Sequence, residues 1–230
     1  MTSGAAIKVH DAFKIYKENE VQTVALRGAN LEVQAGEFVA VVGRSGSGKS
    51  TLFSLLAGLS EPTAGRIEID GRDLSSLPEA ERSKLRRERI GVTFQTGNLV
   101  PFLSALENVE LPLHFASNPD TKPRAKALLE SVGLTMRQDS MPSQLSGGEQ
   151  ARIALAMAMA NEPGLLLADE PTGELDTHTA EEIMQMLEKL NTDQGLTILV
   201  VTHNPELAAR ARRVVRISDG VLTEESRVKA

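Results

Sequence analysis

The residues from Gly43 to Thr51 carry the clearest chemistry in this chain, because they combine glycines with a lysine and hydroxyl side chains. They read GRSGSGKST and fit the pattern G-x-x-x-x-G-K-[ST]. Glycines let successive backbone N–H groups turn toward phosphate oxygens, and the start of a following helix adds partial positive charge. We expect Lys49 to reach the β- and γ-phosphates of a nucleotide, Ser50 to ligate Mg2+ and Thr51 to donate to a nearer phosphate. The predicted nucleotide contacts are Gly43, Arg44, Ser45, Gly46, Ser47, Gly48, Lys49, Ser50 and Thr51.

A second group of polar residues follows an apolar run and could complete a phosphate-cleaving site. Leu165 to Ala168 is typical of a buried strand, and Asp169 and Glu170 come directly after it. A strand that ends in acids is the usual companion of a phosphate-binding loop in nucleoside triphosphatases. We therefore expect Asp169 to hold Mg2+ through water, and Glu170 to orient the attacking water or accept its proton.

Two further strands predict polar residues at the same edge of the sheet. Ile90 to Phe94 delivers Gln95, and Thr197 to Val201 delivers His203. Open α/β sheets bind ligands at the carboxyl ends of their strands, so Gln95 is a candidate second ligand of Mg2+ or of water. A lone glutamine after a strand is also an ordinary loop residue, and the residues alone leave both interpretations open. His203 is placed to reach the same crevice.

Two stretches away from these strand ends could also contact a nucleotide. Tyr16 is the only tyrosine of the chain, and its ring could stack on a purine or pack against a sheet. Leu145 to Gln150 reads LSGGEQ, in which Ser146, Gly147 and Gly148 could begin an anion-binding helix. A glycine-rich helix cap explains the same letters without a ligand, so each stretch has a structural and a functional interpretation.

The periodicity of the sequence predicts an α/β fold that would bring these residues together. Short apolar runs indicate strands at 7–16, 23–33, 37–42, 65–71, 90–94, 165–168 and 197–201. Helical spacing of apolar residues indicates helices at 50–59, 78–87, 105–115, 122–132, 149–160 and 180–190. The first strands predict an antiparallel edge before the phosphate-binding loop, and the pair Asp70-Gly71 predicts a tight turn. The uninterrupted helical pattern of 104–160 predicts a helical lobe inserted into the sheet.

The composition limits the classes of function that the chain can have. It has 230 residues and no cysteine, which excludes a disulfide framework, a thiolate zinc site and an iron–sulfur cluster held by this chain. No run approaches the roughly 18 consecutive apolar residues of a membrane span, and residues 1–6 do not resemble a secretory leader, so we expect a cytosolic location. The net charge of -6 argues against broad nucleic-acid binding. A local basic cluster, which we interpret as one solvated helix face, consists of Arg82, Lys84, Arg86, Arg87 and Arg89.

The chain resembles an ATP-binding-cassette (ABC) ATPase over essentially its whole length. The resemblance rests on motifs that occur in the family's order, namely GRSGSGKST at 43–51, Gln95, LSGGEQ at 145–150, Asp169-Glu170 and His203. LSGGEQ is the specific part, because many P-loop proteins carry the phosphate-binding loop and the acids that follow a strand, whereas LSGGEQ is close to diagnostic of this family. The resemblance implies a P-loop NTPase core with an antiparallel β edge and an inserted helical subdomain, with ATP and Mg2+ as cofactors. It also implies a head-to-tail homodimer in the ATP-bound state, in which residues 146–148 of one subunit close on the γ-phosphate held by the other.

The resemblance further implies a role for individual residues. Tyr16 resembles the adenine-stacking aromatic, Gln95 the residue that links Mg2+ to the membrane partner, and Glu170 the catalytic base. Asp176 matches an aspartate of the D-loop, and His203 matches the switch histidine that contacts the γ-phosphate. The implied catalytic set is Glu170, His203, Lys49 and Gln95, and the implied metal ligands are Ser50, Gln95 and Asp169.

Within the family the chain is most similar to the ATPases of macrolide export, lipoprotein release and cell division. This closer resemblance rests on Leu85-Arg86-Arg87-Glu88-Arg89-Ile90-Gly91, Phe94-Gln95, Asn98-Leu99, Leu106-Glu107-Asn108-Val109, Leu111-Pro112-Leu113 and Pro171-Thr172-Gly173. Glu174 departs from the family, whose D-loop usually has a small or neutral residue there. We expect a single ABC ATPase domain over 1–230, with a nucleotide-binding core and β edge at 1–94 and 161–230 and a helical signature subdomain at 95–160.

These resemblances imply an ATP-binding and ATP-hydrolysing subunit that powers a separate integral membrane permease, in export or extraction. Such a subunit would be cytoplasmic and peripheral on the inner face of the cell membrane. An ATPase that regulates cell-envelope enzymes through a membrane complex, without transport, fits the same residues. A soluble ABC ATPase of DNA repair, chromosome maintenance or iron–sulfur assembly is disfavoured. The short separation of Lys49 from Ser146 leaves no room for a long coiled coil, and the chain has no cysteine for a zinc module of the repair type. A small-molecule P-loop kinase would leave LSGGEQ without a role.

Overall fold

The fold is given by a computed structural model that describes residues 4–18, 21–95 and 99–227. Within these ranges the strands are β1 (Ile7–Glu18), β2 (Val21–Val33), β3 (Phe38–Val42), β4 (Ala64–Ile69), β5 (Arg72–Asp73), β6 (Ile90–Thr93), β7 (Leu165–Asp169), β8 (Thr197–Thr202), β9 (Arg213–Ser218) and β10 (Val221–Arg227). The helices are α1 (Lys49–Leu56), α2 (Glu79–Arg89), α3 (Ala105–Phe115), α4 (Thr121–Ser131), α5 (Gly147–Ala158), α6 (Thr177–Gln194) and α7 (Pro205–Arg210). Short 3-10 turns lie at Thr135–Arg137 and Pro142–Gln144. Two predictions fall partly on residues outside these ranges. They concern residues 1–3, where we expect no secretory leader, and Asn98, which belongs to one of the subfamily motifs.

The strands form two sheets. An antiparallel sheet has the order β2-β1-β4-β5, and a second sheet has the order β10-β9-β3-β8-β7-β6. In the second sheet the strands from β9 to β6 are parallel, and β10 adds to β9 as an antiparallel edge. The predicted α/β fold with an antiparallel β edge is therefore confirmed.

The central strands are buried on both faces, which explains their continuous apolar runs. Val39 and Val41 of β3 face one apolar core, where α1 packs between the two sheets, while Phe38 and Ala40 face a second core against α6 and α7. Side chains alternate along a strand, so one run of apolar residues serves both cores. This burial fixes the register of the strands and hence the position of the residues that follow their carboxyl ends.

Helices α3, α4 and α5 form a lobe with its own apolar core. Leu113 of α3, Leu129 of α4 and Ile153 of α5 are among the buried residues of this core. Asn108 of α3 is fully buried, and its side chain forms hydrogen bonds with the backbone of Val100 and of residues 103 and 104. These bonds fix the loop that precedes α3. No helix in the described part of the chain is long and apolar enough to cross a membrane.

The structure adds elements that the sequence patterns did not predict. β5, α7 and the hairpin of β9 and β10 are new, and α6 is longer at both ends than the predicted 180–190. The turn between β9 and β10 contains Asp219 and Gly220, both with a positive φ. The predicted turn at Asp70-Gly71 has the same geometry, with φ of 51° and 73°. An Asp-Gly pair at the end of the chain was therefore a usable hairpin signal.

The interpretation of the basic cluster as one solvated helix face holds for Lys84 and Arg87, which are exposed, and is wrong for Arg82. Arg82 is 6% exposed, and its guanidinium pairs with Glu61 and Glu79. Arg89 of the same helix lies 2.6 Å from a carboxylate oxygen of Asp70. Glu79 belongs to the same helix, whereas Glu61 and Asp70 lie outside it, so these two ion pairs connect α2 to the β-rich part of the fold.

Candidate active site

Four adjacent parallel strands place the predicted site residues at one edge of the sheet, namely the edge formed by the carboxyl ends of the strands. Along the order β3-β8-β7-β6, the edge carries the phosphate-binding loop, His203, the pair Asp169-Glu170 and Gln95 in succession. The pairing register aligns Val42 with Thr202 and Val201 with Asp169, so these strands end at nearly the same level. Residues far apart in the chain are thus brought together by strand order.

The phosphate-binding loop has a backbone shape that requires glycine. Gly48 has a φ of 107°, in the left-handed region, and a β-carbon there would lie 2.6 Å from the carbonyl oxygen of Ala25. Gly48 is also the N-cap of α1, and no side chain caps this helix. The first N–H groups of α1 are therefore available to an anion, whose charge the helix end favours.

The ammonium of Lys49 lies within the loop. Its Nζ donates to the carbonyl oxygen of Gly43 at 2.8 Å and to that of Arg44 at 3.0 Å. Ser47 is 7% exposed, and within the described structure its hydroxyl has no hydrogen-bond partner. A buried hydroxyl without a partner costs free energy, so a ligand that accepts from Ser47 would be stabilised here.

The carboxylate of Asp169 is half-buried at the end of β7. Burial raises its pKa, the negative charge of Glu170 raises it further, and the nearby Lys49 ammonium opposes both effects. The ionised form of Asp169 is therefore disfavoured where it stands, and a cation beside it would relieve that cost. Within the described residues no three His, Cys, Asp or Glu side chains form a metal-binding group. The carboxylate of Asp169 is an oxygen donor, the type of ligand that the hard cation Mg2+ prefers.

Glu170 is held in place by several contacts at the end of β7. It has a positive φ of 47° and is 8% exposed. Its Oε2 accepts a hydrogen bond from the Thr202 hydroxyl at 2.9 Å, and its Oε1 accepts one from the backbone N–H of His203 at 3.0 Å. The ring Nδ1 of His203 lies 2.6 Å from the same Oε1. The carboxylate is therefore held through both of its oxygens by Thr202, the last residue of β8, and by His203, which follows it.

The His203 ring is anchored on one side and open on the other. With a carboxylate at Nδ1, that nitrogen carries a proton, and Nε2 lies on the opposite side of the ring. The His203 side chain is 69% exposed, so a ligand in the crevice can reach it. If the ring is also protonated at Nε2, it presents a charged donor to an anion.

The LSGGEQ segment begins α5 through a capping box. Ser146 is the N-cap and accepts from the backbone N–H of Glu149, while the Glu149 carboxylate accepts from the backbone N–H of Ser146. The bond from Ser146 is the main reason why the pKa of Glu149 is lowered, and Arg137 adds to it from 2.8 Å. Ser146 and Gly147 are exposed at this helix start.

The remaining predicted residues lie around these parts. Gln95 is exposed and lines a cavity of about 330 Å³ that also borders Glu170 and Glu174. Asp176 is the N-cap of α6, where its carboxylate accepts from backbone N–H groups and from the Thr179 hydroxyl. Tyr16 pairs with Thr23 on β2, close to the point where that strand meets the phosphate-binding loop.

The role of Thr202 was not predicted, although it lies in the centre of the arrangement. The signal was present in the sequence, because Thr202 is a hydroxyl residue that ends an otherwise apolar run from Ile198 to Val201. Which carboxylate it meets depends on the order of β8 and β7 in the sheet. The sequence alone does not contain that order.

Comparison with known proteins adds the evolutionary context. The ABC transporter family profile matches residues 26–173. An ABC transporter ATP-binding protein of Thermotoga maritima is 50% identical over 212 residues, which make up 91% of this chain and 90% of that protein. The macrolide export ATP-binding/permease protein MacB of Syntrophobacter fumaroxidans is 47% identical over 96% of this chain, which spans only 31% of that relative. The dimeric post-hydrolysis structure of the ATP-binding cassette MJ0796 of Methanocaldococcus jannaschii, bound to ADP and Pi, has a TM-score of 0.90 and 42% identity, with 97% of this chain and 99% of that chain covered.

Proposed function

The chain belongs to the ABC transporter family, and on this premise we propose that it is an ATP-hydrolysing cassette that powers a separate membrane permease in export or extraction. One observation carries the proposal. The loop that suits phosphates, a histidine, two acids and a glutamine follow four neighbouring parallel strands at one edge of the sheet. This arrangement supports the proposal, because phosphoryl transfer to water needs a phosphate-binding loop and groups that orient the attacking water.

We assign nucleotide binding to the phosphate-binding loop and to Tyr16. The N-terminal end of α1 and the Ser47 hydroxyl offer donors, and Lys49 would leave the loop carbonyls to face the β- and γ-phosphates. Ser50, Gln95 and Asp169 offer oxygen ligands for Mg2+, and their chemistry fits this cation. When bound, Mg2+ would neutralise part of the phosphate charge.

We assign the chemical step to Glu170 and His203. Water would give a proton to the Glu170 carboxylate as its oxygen bonds the γ-phosphorus, and the bridging oxygen between the β- and γ-phosphates would leave with ADP. His203 would donate to a γ-phosphate oxygen while its Nδ1 stays with Glu170. The contact of 2.6 Å between these residues supports their action as a pair.

We further propose a homodimer in the ATP-bound state, in which Ser146, Gly147 and Gly148 of one subunit meet the γ-phosphate bound by the other. The exposure of Ser146 and Gly147 at the start of α5 supports this assignment. Asp176 would lie at the same interface. Residues 95–160 would act as the helical subdomain that carries the signature, and residues 1–94 and 161–230 as the core.

The proposed partner of this chain is an integral membrane permease. MacB joins an ATP-binding part and a permease under one name, and this chain corresponds to 31% of its length. We propose that a separate permease takes the place of the rest, and that the cassette sits on the inner face of the membrane. The cavity beside Gln95 lies between the helical lobe and the core, where motion could pass to a partner.

The first experiment compares wild-type protein with Glu170→Gln. We expect ATP binding to persist while hydrolysis slows by about 10²- to 10⁴-fold, the contribution of a positioned general base. Glu206→Gln, an exposed carboxylate of α7, serves as the control and should retain wild-type turnover. Wild-type turnover in Glu170→Gln would remove Glu170 from the proposed chemistry.

The second experiment tests the partner. Tagged Glu170→Gln protein, loaded with Mg-ATP, is used to capture proteins from detergent-solubilised membranes of the source cell. Recovery of an integral membrane protein with transport activity supports the permease. Recovery of a membrane complex that only regulates envelope enzymes, or of soluble proteins alone, contradicts it.

A further inference from the structure

Thr202 is fully buried at the carboxyl end of β8 and meets the proposed base. Its hydroxyl lies 2.9 Å from Oε2 of Glu170 and 3.0 Å from the backbone nitrogen of Asn204. The residues before it, Ile198 to Val201, are all apolar and buried. A polar side chain has thus been placed at the one point of this run where the strand reaches the candidate active site.

The direction of the two hydrogen bonds follows from the chemistry of the groups. A threonine hydroxyl has one proton to donate and lone pairs with which to accept. The backbone N–H of Asn204 can only donate, so it uses a lone pair of Thr202. An ionised carboxylate can only accept. The proton of Thr202 is therefore committed to Oε2 of Glu170.

This bond completes a set of ties between Glu170 and β8. The backbone N–H of Glu170 donates to the carbonyl oxygen of Val201 at 2.9 Å, and Oε1 accepts from the backbone N–H of His203. Glu170 has several rotatable side-chain bonds, whereas the Thr202 side chain is stiff at χ1 and fully enclosed. The rigid partner thus restrains the flexible one.

We propose that Thr202 is a positioning residue for ATP hydrolysis, because its hydroxyl fixes the Glu170 carboxylate in the orientation that the reaction requires. The inference rests on the proposed function of Glu170 as the base. Oε1 of Glu170 already accepts from the backbone N–H of His203 and lies 2.6 Å from its ring Nδ1. Thr202 occupies one lone pair of Oε2 and so sets the direction of the other, which is the one left for the attacking water. Thr202 itself touches neither ATP nor water in this assignment.

Packing alone does not require a hydroxyl at this position. Valine has nearly the shape of threonine, and valine residues already occupy the two preceding positions of β8. Thr202→Val therefore removes the hydroxyl while it preserves the volume, and Thr202→Ser keeps the hydroxyl while it removes a methyl group. The pair of variants separates positioning from packing.

The same strand offers a matched control. Thr197 begins β8, is also fully buried, and its hydroxyl accepts from the backbone N–H of Gly36 at 2.8 Å. Thr197→Val makes the same chemical change in the same strand at the end away from the candidate active site. Any loss of kcat that comes only from a missing buried hydrogen bond should appear in both Thr202→Val and Thr197→Val.

The experiment measures steady-state ATP hydrolysis and ATP binding for the full chain, with thermal unfolding as a check of folding. We expect Thr202→Val to lower kcat by about 10- to 100-fold with KM changed less than about twofold, as for a misplaced catalytic group. Thr202→Ser should recover most of kcat, and Thr197→Val should keep it. In combination with Glu170→Gln, Thr202→Val should cause no further loss, because it acts through that residue.

Several outcomes would overturn the inference without touching the proposed function. If Glu170→Gln is inactive while Thr202→Val keeps wild-type kcat, Thr202 does not position the base. If Thr202→Ser is as impaired as Thr202→Val, the residue acts through packing. If Thr197→Val loses kcat equally, the loss is a general effect of β8. Wild-type turnover in Glu170→Gln would instead refute the proposed function itself, and the inference with it.

Discussion

The ammonium of Lys14 lies 5.2 Å from the centre of the Tyr16 ring, and the carbonyl oxygen of Glu61 accepts from it at 2.7 Å. Lys14 and Tyr16 are two residues apart on β1, where alternate side chains leave the same face of the strand. The tethered cation covers one face of the ring, and 43% of Tyr16 is exposed. A purine that stacks on Tyr16 must therefore use the opposite face.

Tyr16→Ala is expected to weaken nucleotide binding by about 5- to 150-fold, since stacking of a base on an aromatic ring contributes about 1–3 kcal/mol. Tyr16→Phe keeps the ring and should bind almost as well as wild type. Titration calorimetry with a non-hydrolysable ATP analogue measures both affinities. Equal affinity in Tyr16→Ala and wild type would show that Tyr16 only packs against the sheet.

Asp169→Asn is expected to raise the melting temperature of the nucleotide-free protein. Burial and the charge of Glu170 raise the pKa of Asp169, so its ionised form destabilises the fold above that pKa. In a domain of this size each ~1 kcal/mol changes the melting temperature by about 2–4 °C. The penalty disappears as the pH falls through the raised pKa, so the difference between variant and wild type should narrow on acidification.

The same variant should lose the extra thermal stabilisation that Mg-ATP gives over ATP with EDTA, because Asp169 is a proposed ligand of Mg2+. Asp139→Asn, which changes an exposed carboxylate, should alter neither the melting temperature without nucleotide nor the extra stabilisation by Mg-ATP. A lower melting temperature of Asp169→Asn without nucleotide would contradict the electrostatic argument. A retained Mg2+ effect would contradict the metal assignment.

Asn108→Leu is expected to destabilise the protein by about 2–4 kcal/mol, because each lost hydrogen bond contributes about 0.5–1.5 kcal/mol and the loop's buried backbone groups lose their partners. The Asn108 side chain bonds Val100 through both its oxygen and its nitrogen and also reaches Leu103 and Ser104. Chemical denaturation measures the change. Asn161→Leu removes a single bond, to Pro112, and should cost less; an equal cost would argue against the proposed role of Asn108.

Glu107→Gln is expected to make the free energy of unfolding depend less on pH in the acidic range. The backbone N–H and the hydroxyl of Ser104 lower the pKa of Glu107, which completes the capping box of α3. A lowered pKa stabilises the fold above the ordinary glutamate pKa of about 4.3 and the contribution is lost as the pH falls through the folded value. Urea unfolding between about pH 3 and pH 7 should show this in wild type. Glu130→Gln, on the exposed side of α4, should leave the slope unchanged.

Local patterns were enough to predict the central strands and the chemistry at their ends. The runs before Gly43, Asp169 and His203 are apolar because those strands are buried on both faces, and this property is visible in the letters. The edge hairpin of β9 and β10 was missed, since half of its side chains face solvent and its apolar run is broken. The Asp219-Gly220 turn was the better signal there.

Contacts that depend on strand order could not be predicted from the same patterns. The bond from Thr202 to Glu170 joins positions 32 residues apart, and the pairing of Arg89 with Asp70 spans 19 residues. Each depends on which elements the fold makes neighbours. Charge pattern alone therefore predicted a solvated basic face where the structure has Arg82 buried against Glu61 and Glu79.

The missing β-carbon of Gly148 also lets the helical lobe pack closely against the core. A β-carbon there would lie 2.1 Å from Cγ2 of Thr179, whose hydroxyl donates to the Asp176 carboxylate at 2.6 Å. The start of α5 therefore packs directly on the Thr179 side chain at the start of α6. The methyl group of Thr179 fills the space that a side chain at position 148 would need, so α5 and α6 cannot come closer at this point. Gly148 is therefore a packing residue between the helical lobe and the core as well as part of the LSGGEQ segment.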